Sequence, residues 1–169
     1  NTPEHAGEIY KGLLPKLEAL AKKDSQFSYL FESFAKLCKV LTRKATYGKR
    51  LYKAYQEKDR GVLHALEEEI WEIKKDLQEF YRTYRCQWMH ENKGFGFEMI
   101  DVRVGGLIAR TETVSNLLKD YLDGKIDKIY ELEEERLDYF CGQFTGDEIY
   151  APVHGIWATT YTANIVVYP

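Results

Sequence analysis

From Leu63 to Tyr84 an apolar residue recurs at every third or fourth position: Leu63, Leu66, Ile70, Ile73, Leu77, Phe80 and Tyr84. Alternating steps of three and four put these side chains on one stripe of an α-helix, whereas strand side chains alternate with a period of two. A strict a/d stripe over three heptads needs other helices to bury it. The sequence just before supplies one. Residues 26 to 58 carry Phe27, Leu30, Phe34, Leu37, Leu41, Ala45, Gly48, Tyr52 and Tyr55 at the same spacing, with two successive steps of four around Leu41. Asp59 is the expected cap of the helix that follows, residues 60 to 92. These two segments predict a long antiparallel helical hairpin.

The remaining segments extend the pattern. Residues 3 to 23 form a first helix with Ile9, Leu13, Leu17 and Leu20 as its inner face, kinked or broken at Pro15, where one i→i−4 bond is lost. Asp24-Ser25 offers a cap for the second helix. A fourth helix starts near Glu98 with the stripe Ile100, Val104, Leu107, Val114, Leu118 and Tyr121, and stops at Asp123-Gly124. Asp127 opens a fifth, through Leu132 and Leu137 to Phe140, acidic outside at Glu131, Glu133, Glu134 and Glu135. After Gly142, Gly, Pro and β-branched residues take over, and residues 159 to 168 read as extended. The expected fold is mainly α: an antiparallel bundle of about five helices over residues 1–141, then an extended C-terminal arm over 142–169. A lone strand cannot satisfy its own backbone groups, so the arm packs on the bundle or on an absent domain.

Bulk properties narrow the function. The chain has 169 residues, a single-domain length, and begins with Asn rather than Met, suggesting a piece of something longer. Its net charge is −3 with acids and bases interspersed, which argues against a nucleic-acid partner. No apolar run is long enough to span a bilayer and no signal-peptide pattern opens the chain. Cys38, Cys86 and Cys141 are odd in number and far apart, and form no C-x-x-C. Buried free thiols and a reduced, cytoplasmic setting are expected, with no cofactor.

Residues 88 to 110 break the helical regularity with four glycines, a His-Glu-Asn-Lys run and two arginines. His90-Glu91 starts like a zinc-protease signature, but Gly94 stands where the second His is needed, so no metal site is expected. His5, His64 and His154 have no ligand-spaced partner. Gly146-Asp147-Glu148 offers adjacent carboxylates of the kind used in glycoside hydrolysis, yet it follows a helix in a turn, so an exposed turn is the expectation. Trp71 reads as packing. Trp157 and the thirteen tyrosines raise the question of sugar stacking; Trp88, beside Glu91, Asn92 and Lys93, is open between packing and contact, and with the nearby aromatics it offers carbohydrate binding as a weaker alternative. Arg103, Gly106 and Arg110 share a face of the fourth helix. Either the arginines pair within the chain, with Asp101 or the acidic fifth helix, or the face docks another domain, and only docking explains the glycine as well.

The run Glu91-Asn92-Lys93-Gly94-Phe95-Gly96-Phe97-Glu98, then Asp101-Val102-Arg103-Val104-Gly105-Gly106-Leu107-Ile108-Ala109-Arg110, resembles the C-terminal helical domain of one branch of the family 20 glycoside hydrolases. Tyr121-Leu122-Asp123-Gly124-Lys125-Ile126, Glu131-Leu132-Glu133-Glu134 and Thr162-Ala163-Asn164-Ile165 continue the likeness. These relatives are bacterial exo-β-N-acetylhexosaminidases of carbohydrate metabolism. The resemblance implies a preceding (β/α)8 barrel that removes terminal N-acetylglucosamine or N-acetylgalactosamine with the substrate's own acetamido group as nucleophile. The family's catalytic Asp-Glu pair lies in an H-x-G-G-D-E motif on that barrel. Here Gln143 stands where the motif needs His, so no catalytic residue carries over. What carries over is an accessory role: packing on the barrel and supporting a homodimer, bordering a neighbouring active site. Trp88, Asn92, Lys93, Asp101, Arg103, Gly106 and Arg110 are the residues expected at those interfaces. The alternative is a free-standing helical scaffold that binds another protein through a helix face.

Overall fold

A computed structural model of the chain describes residues 3–23 and 25–134. They form five helices, α1 (Pro3–Ala21), α2 (Ser28–Gln56), α3 (Arg60–Glu91), α4 (Glu98–Leu122) and α5 (Tyr130–Glu133), with no strand among the described residues. The mainly α, antiparallel arrangement is as expected. Cys141, His154, Trp157, Gly146-Asp147-Glu148 and the extended arm lie outside the described residues.

Local chemistry fixes the corners. Asp59 accepts from the Val62 amide at 3.0 Å, as its position predicted. Before it, the Lys58 amide bonds Tyr55 O and the Asp59 amide bonds Ala54 O, closing α2 with a Schellman motif in which Lys58 itself takes a positive φ of 54°. The same motif ends α4 at Gly124, whose φ is 72°. Ser25 does not cap α2. Its hydroxyl accepts from Phe27 N, and the helix begins only at Ser28 with no side-chain cap. Pro15 does not break α1, which runs continuously from Pro3 to Ala21. Its missing N–H releases only the Lys11 carbonyl, on an exposed stretch where water can take it.

The helices pack in sequence order, α1 on α2, α2 on α3 and α3 on α4. The α2–α3 seam is polar at its edge and apolar inside. Asp76, only 2% exposed, accepts from Lys39 at 2.8 Å and Arg43 at 2.6 Å, while Lys36 pairs with Glu79 and Arg50 with Glu69. The buried Tyr47 hydroxyl donates to Leu66 O at 2.9 Å. Such paired charges fix which turn of one helix faces which turn of the other. Across α3–α4, Glu67 accepts from Ser115, Trp71 and Lys119. Burial alone would raise this carboxyl, but the three donors outweigh it and hold it below the usual range. Trp71 is therefore a packing residue, as read.

The core joins Tyr47, Leu51, Ala54 and Tyr55 of α2 to the α3 stripe from Leu63 to Leu77, to Val104, Leu118 and Leu122 of α4, and to Ile129 beyond it. Four expectations need correction. Ile9 and Leu13 are 50% and 40% exposed, because α1 turns Gly7 and Tyr10 to α2 instead, with Leu14 and Leu17 continuing that face. Phe27 just before α2, Phe34 of α2 and Leu107 of α4 are exposed, since α2 and α4 pack on α3 and not extensively on each other. Among the described residues α5 spans Tyr130–Glu133, starting after Asp127 and closing at an extended Glu134, and Leu137 and Phe140 lie outside them. Cys38 is buried, with its thiol pushed up by burial, but Cys86 is exposed.

Candidate functional site

The seven residues singled out by sequence separate into two groups. One surrounds the α3–α4 turn. Asn92 ends α3 with extended backbone, its amide bonding Trp88 O at 2.7 Å. Gly96 takes φ 91°, open to glycine at little cost, and a Cβ there would sit 3.3 Å from the Trp88 ring. The half-buried indole thus lies over the turn, and its Nε1–H donates to Lys93 O at 3.0 Å. Beneath it Phe97, 3% exposed, meets the rings of Trp88, Tyr84 and Tyr81. Trp88 is accordingly the fastener of this turn, its polar edge already satisfied by backbone. Asn92 and Lys93 are exposed beside it, and Phe95 is the tip at 88% exposure. Asp101 accepts from the Tyr81 hydroxyl at 2.6 Å, which pushes that phenol up.

The second group lies farther along α4. Two residues advance a helix by about 200°, so Arg103 leaves the face on which Asp101 meets α3. Gly106 and Arg110 follow it at steps of three and four. A Cβ built on Gly105 or on Gly106 would meet nothing within 4 Å. Neither glycine is demanded by packing inside the described fold, although each costs about 1 kcal/mol relative to alanine within a helix. Arg110 has an internal partner: it bonds Glu131 of α5 and holds that carboxyl below its usual range. This is the acidic-helix pairing weighed from the sequence. Beside it, Leu117, Ile126, Ile129 and Tyr130 line a cleft of about 440 Å³.

A glycosidase general acid needs a carboxyl held up in pKa, whereas Glu67, Glu72, Glu79, Glu112, Asp123 and Glu131 are each held below the usual range by a neighbouring donor. No group of three His, Cys, Asp or Glu among the described residues could hold a metal ion. A second cleft of about 420 Å³ lies where α2 begins and α3 ends. There the Tyr29 hydroxyl donates to Glu91, and His90 meets the Tyr29 ring edge-on. His90 is thus an aromatic contact of Tyr29. No described helix is long and apolar enough to cross a membrane.

Two residues important to the arrangement escaped the sequence reading. Phe97 sits in a glycine turn, where no periodicity marks it as buried. Ile129, 5% exposed, lies outside any long helix, and only its isolation between charged neighbours could have flagged it. Compared with known protein families, residues 1–148 match the one described as the Glycoside Hydrolase 20C C-terminal domain. No curated protein matches the chain.

Proposed function

Because the chain belongs to the Glycoside Hydrolase 20C C-terminal domain family, we propose that it is the non-catalytic accessory domain of an exo-β-N-acetylhexosaminidase. Terminal N-acetylglucosamine or N-acetylgalactosamine is removed by a separate barrel, and this domain packs against that barrel and supports a dimer. The observation that carries the docking role is the open space over Gly105 and Gly106 in the middle of α4. A bare helix surface lets another backbone approach closely. Arg103 and Arg110 flank it on the same face, and Glu131 holds Arg110 in place. Asn92, Lys93 and Phe95 extend the exposed surface at the start of α4.

Gly106→Leu tests the reading. The substitution should leave helix content nearly intact and abolish association with the barrel or with the second subunit, measured by sedimentation of the natural enzyme and by binding of separately purified domains. Severe unfolding would assign the glycine to internal packing instead. The isolated domain should not hydrolyse an aryl N-acetylglucosaminide. Hydrolysis that disappears in Glu148→Gln would overturn the accessory role.

A further inference from the structure

α2 has three faces, and among the described residues α1 and α3 cover two of them. α1 covers one: the Cys38 thiol donates to Tyr10 O at 3.1 Å, and a Cβ on Gly7 would lie 3.5 Å from Thr42 O. α3 covers the second, along Lys36, Arg43, Tyr47 and Arg50. At about 100° per residue, Phe34, Leu37 and Leu41 project between these two faces. On α4, the residues bonded to α3 are Asp101, Glu112, Ser115 and Lys119. Leu107 and Val114 project to one side of that line, the side toward α2. Phe80 and Tyr84 of α3, only partly buried, lie between.

By these angles the side chains face one apolar furrow of the bundle, floored by α3 and walled by α2 and α4. Phe34 is 52% exposed and Leu107 39%. A contiguous apolar patch of this kind marks a surface that something covers. One end of the furrow shows what does so. After α4 the chain crosses to α2, where the Tyr55 hydroxyl accepts from the Ile129 amide at 3.0 Å and donates to Glu133 at 2.6 Å. Gln56 then donates to Leu132 O. Ile129 and Leu132 pack against the core there.

The described chain leaves this point at Glu134, and the sequence beyond has the composition of a cover. Residues 142–169 include Ile149, Tyr150, Ile156, Trp157, Ile165 and Val166. Twenty-eight residues span about 90 Å when extended, against about 43 Å for the length of α2, so reach is ample. Charge agrees too. Lys44 is exposed, one heptad on from Leu37, with no carboxylate paired to it among the described residues, and residues 142–169 bring Asp147 and Glu148. We propose that residues 142–169 of this same chain occupy the furrow between α2 and α4, covering Phe34, Leu37, Leu41 and Leu107 and continuing the plug begun by Ile129 and Leu132. The inference does not depend on the accessory-domain reading.

Photo-crosslinking in the full chain tests it. p-Benzoylphenylalanine is placed at Phe34 in one variant and at Leu107 in another, both positions with room for a larger ring, and folding is verified by circular dichroism. Each variant is mixed with isotopically labelled chain, irradiated, digested and analysed by mass spectrometry. The expected result is an unmixed, intrachain cross-link to a peptide within 142–169 from both positions. Isotopically mixed cross-links would assign the furrow to a second copy. In the natural enzyme, cross-links to another domain would assign it to that domain and leave the proposed accessory role standing. Either result overturns the inference, as does the absence of any cross-link to residues 142–169 in the folded variants.

Discussion

Tyr55→Phe removes one oxygen and tests how the segment after α4 is held. That hydroxyl accepts from the Ile129 amide at 3.0 Å and donates to Glu133 at 2.6 Å. Burial, and then the Glu133 carboxylate, raise the phenol above its usual range, so it is a protonated donor throughout the neutral range. The substituted ring keeps its packing against Tyr121, 5.2 Å away between centroids. What changes is the Ile129 amide, stranded at a residue only 5% exposed. An unsatisfied buried donor costs about 1–3 kcal/mol. The exposed Glu133 carboxylate regains water and adds about 0–1 kcal/mol. A loss of about 2 kcal/mol should therefore move the urea midpoint down by roughly 1 M, given a slope near 2 kcal/mol/M. Hydrogen exchange of the Ile129 amide should accelerate by about the same free energy. A midpoint within about 0.2 M of the parent, with unchanged exchange at Ile129, would refute the reasoning, because water or a shifted backbone would then be replacing the hydroxyl.

Leu77→Ala should destabilise the fold by about 2–5 kcal/mol, since Leu77 is 3% exposed at the centre of the α3 stripe; calorimetry that finds a negligible change would place the stripe against solvent. Acid should weaken the α3–α4 seam through Glu67. Its folded pKa is depressed, so its stabilisation is complete above the unfolded value near 4.5 and is lost as pH falls through the lower folded value. Urea titrations between pH 7 and about pH 3 should accordingly show a shallower acid-side loss for Glu67→Gln than for the parent. An identical slope in the two proteins would mean that Ser115, Trp71 and Lys119 do not act on this carboxylate.

How much of this was legible in the sequence depends on what each signal measures. The α3 heptads gave a buried stripe from Leu63 to Leu77, and the Asp59 cap and Gly124 stop fell where expected, because caps and stops act within one turn of their own backbone. Pro15 shows the limit of a local signal: its penalty is real, but α1 packs on α2 and runs through it without a break. The α3–α4 turn was visible as an anomaly and its content was not. Two glycines and an indole signal a special backbone, yet only the fold shows Trp88 bonded to Lys93 O over Gly96.

The exposed stripes carry a more general lesson about periodicity. A repeat of three and four tells which side of a helix is apolar, and says nothing about whether that side meets a neighbour in sequence. α1 and α2 meet through Gly7, Tyr10, Cys38 and Thr42, and α2 and α3 through a seam that includes Lys39, Arg43 and Asp76. Those are small and charged residues that a hydrophobic count passes over. The large apolar residues Phe34, Leu41 and Leu107 point instead to the side that helices packed in a row leave open. Sequential neighbours are therefore joined by small residues and ion pairs as well as by the apolar core, while Phe34, Leu41 and Leu107 lie outside that core. Burying the stripes on each other would require α2 and α4 to close over α3 along their whole length, whereas among the described residues their packing on each other is slight, with Tyr55 against Tyr121. The open side is thus a property of the packing order itself, and any account of this domain's partners has to say what fills it.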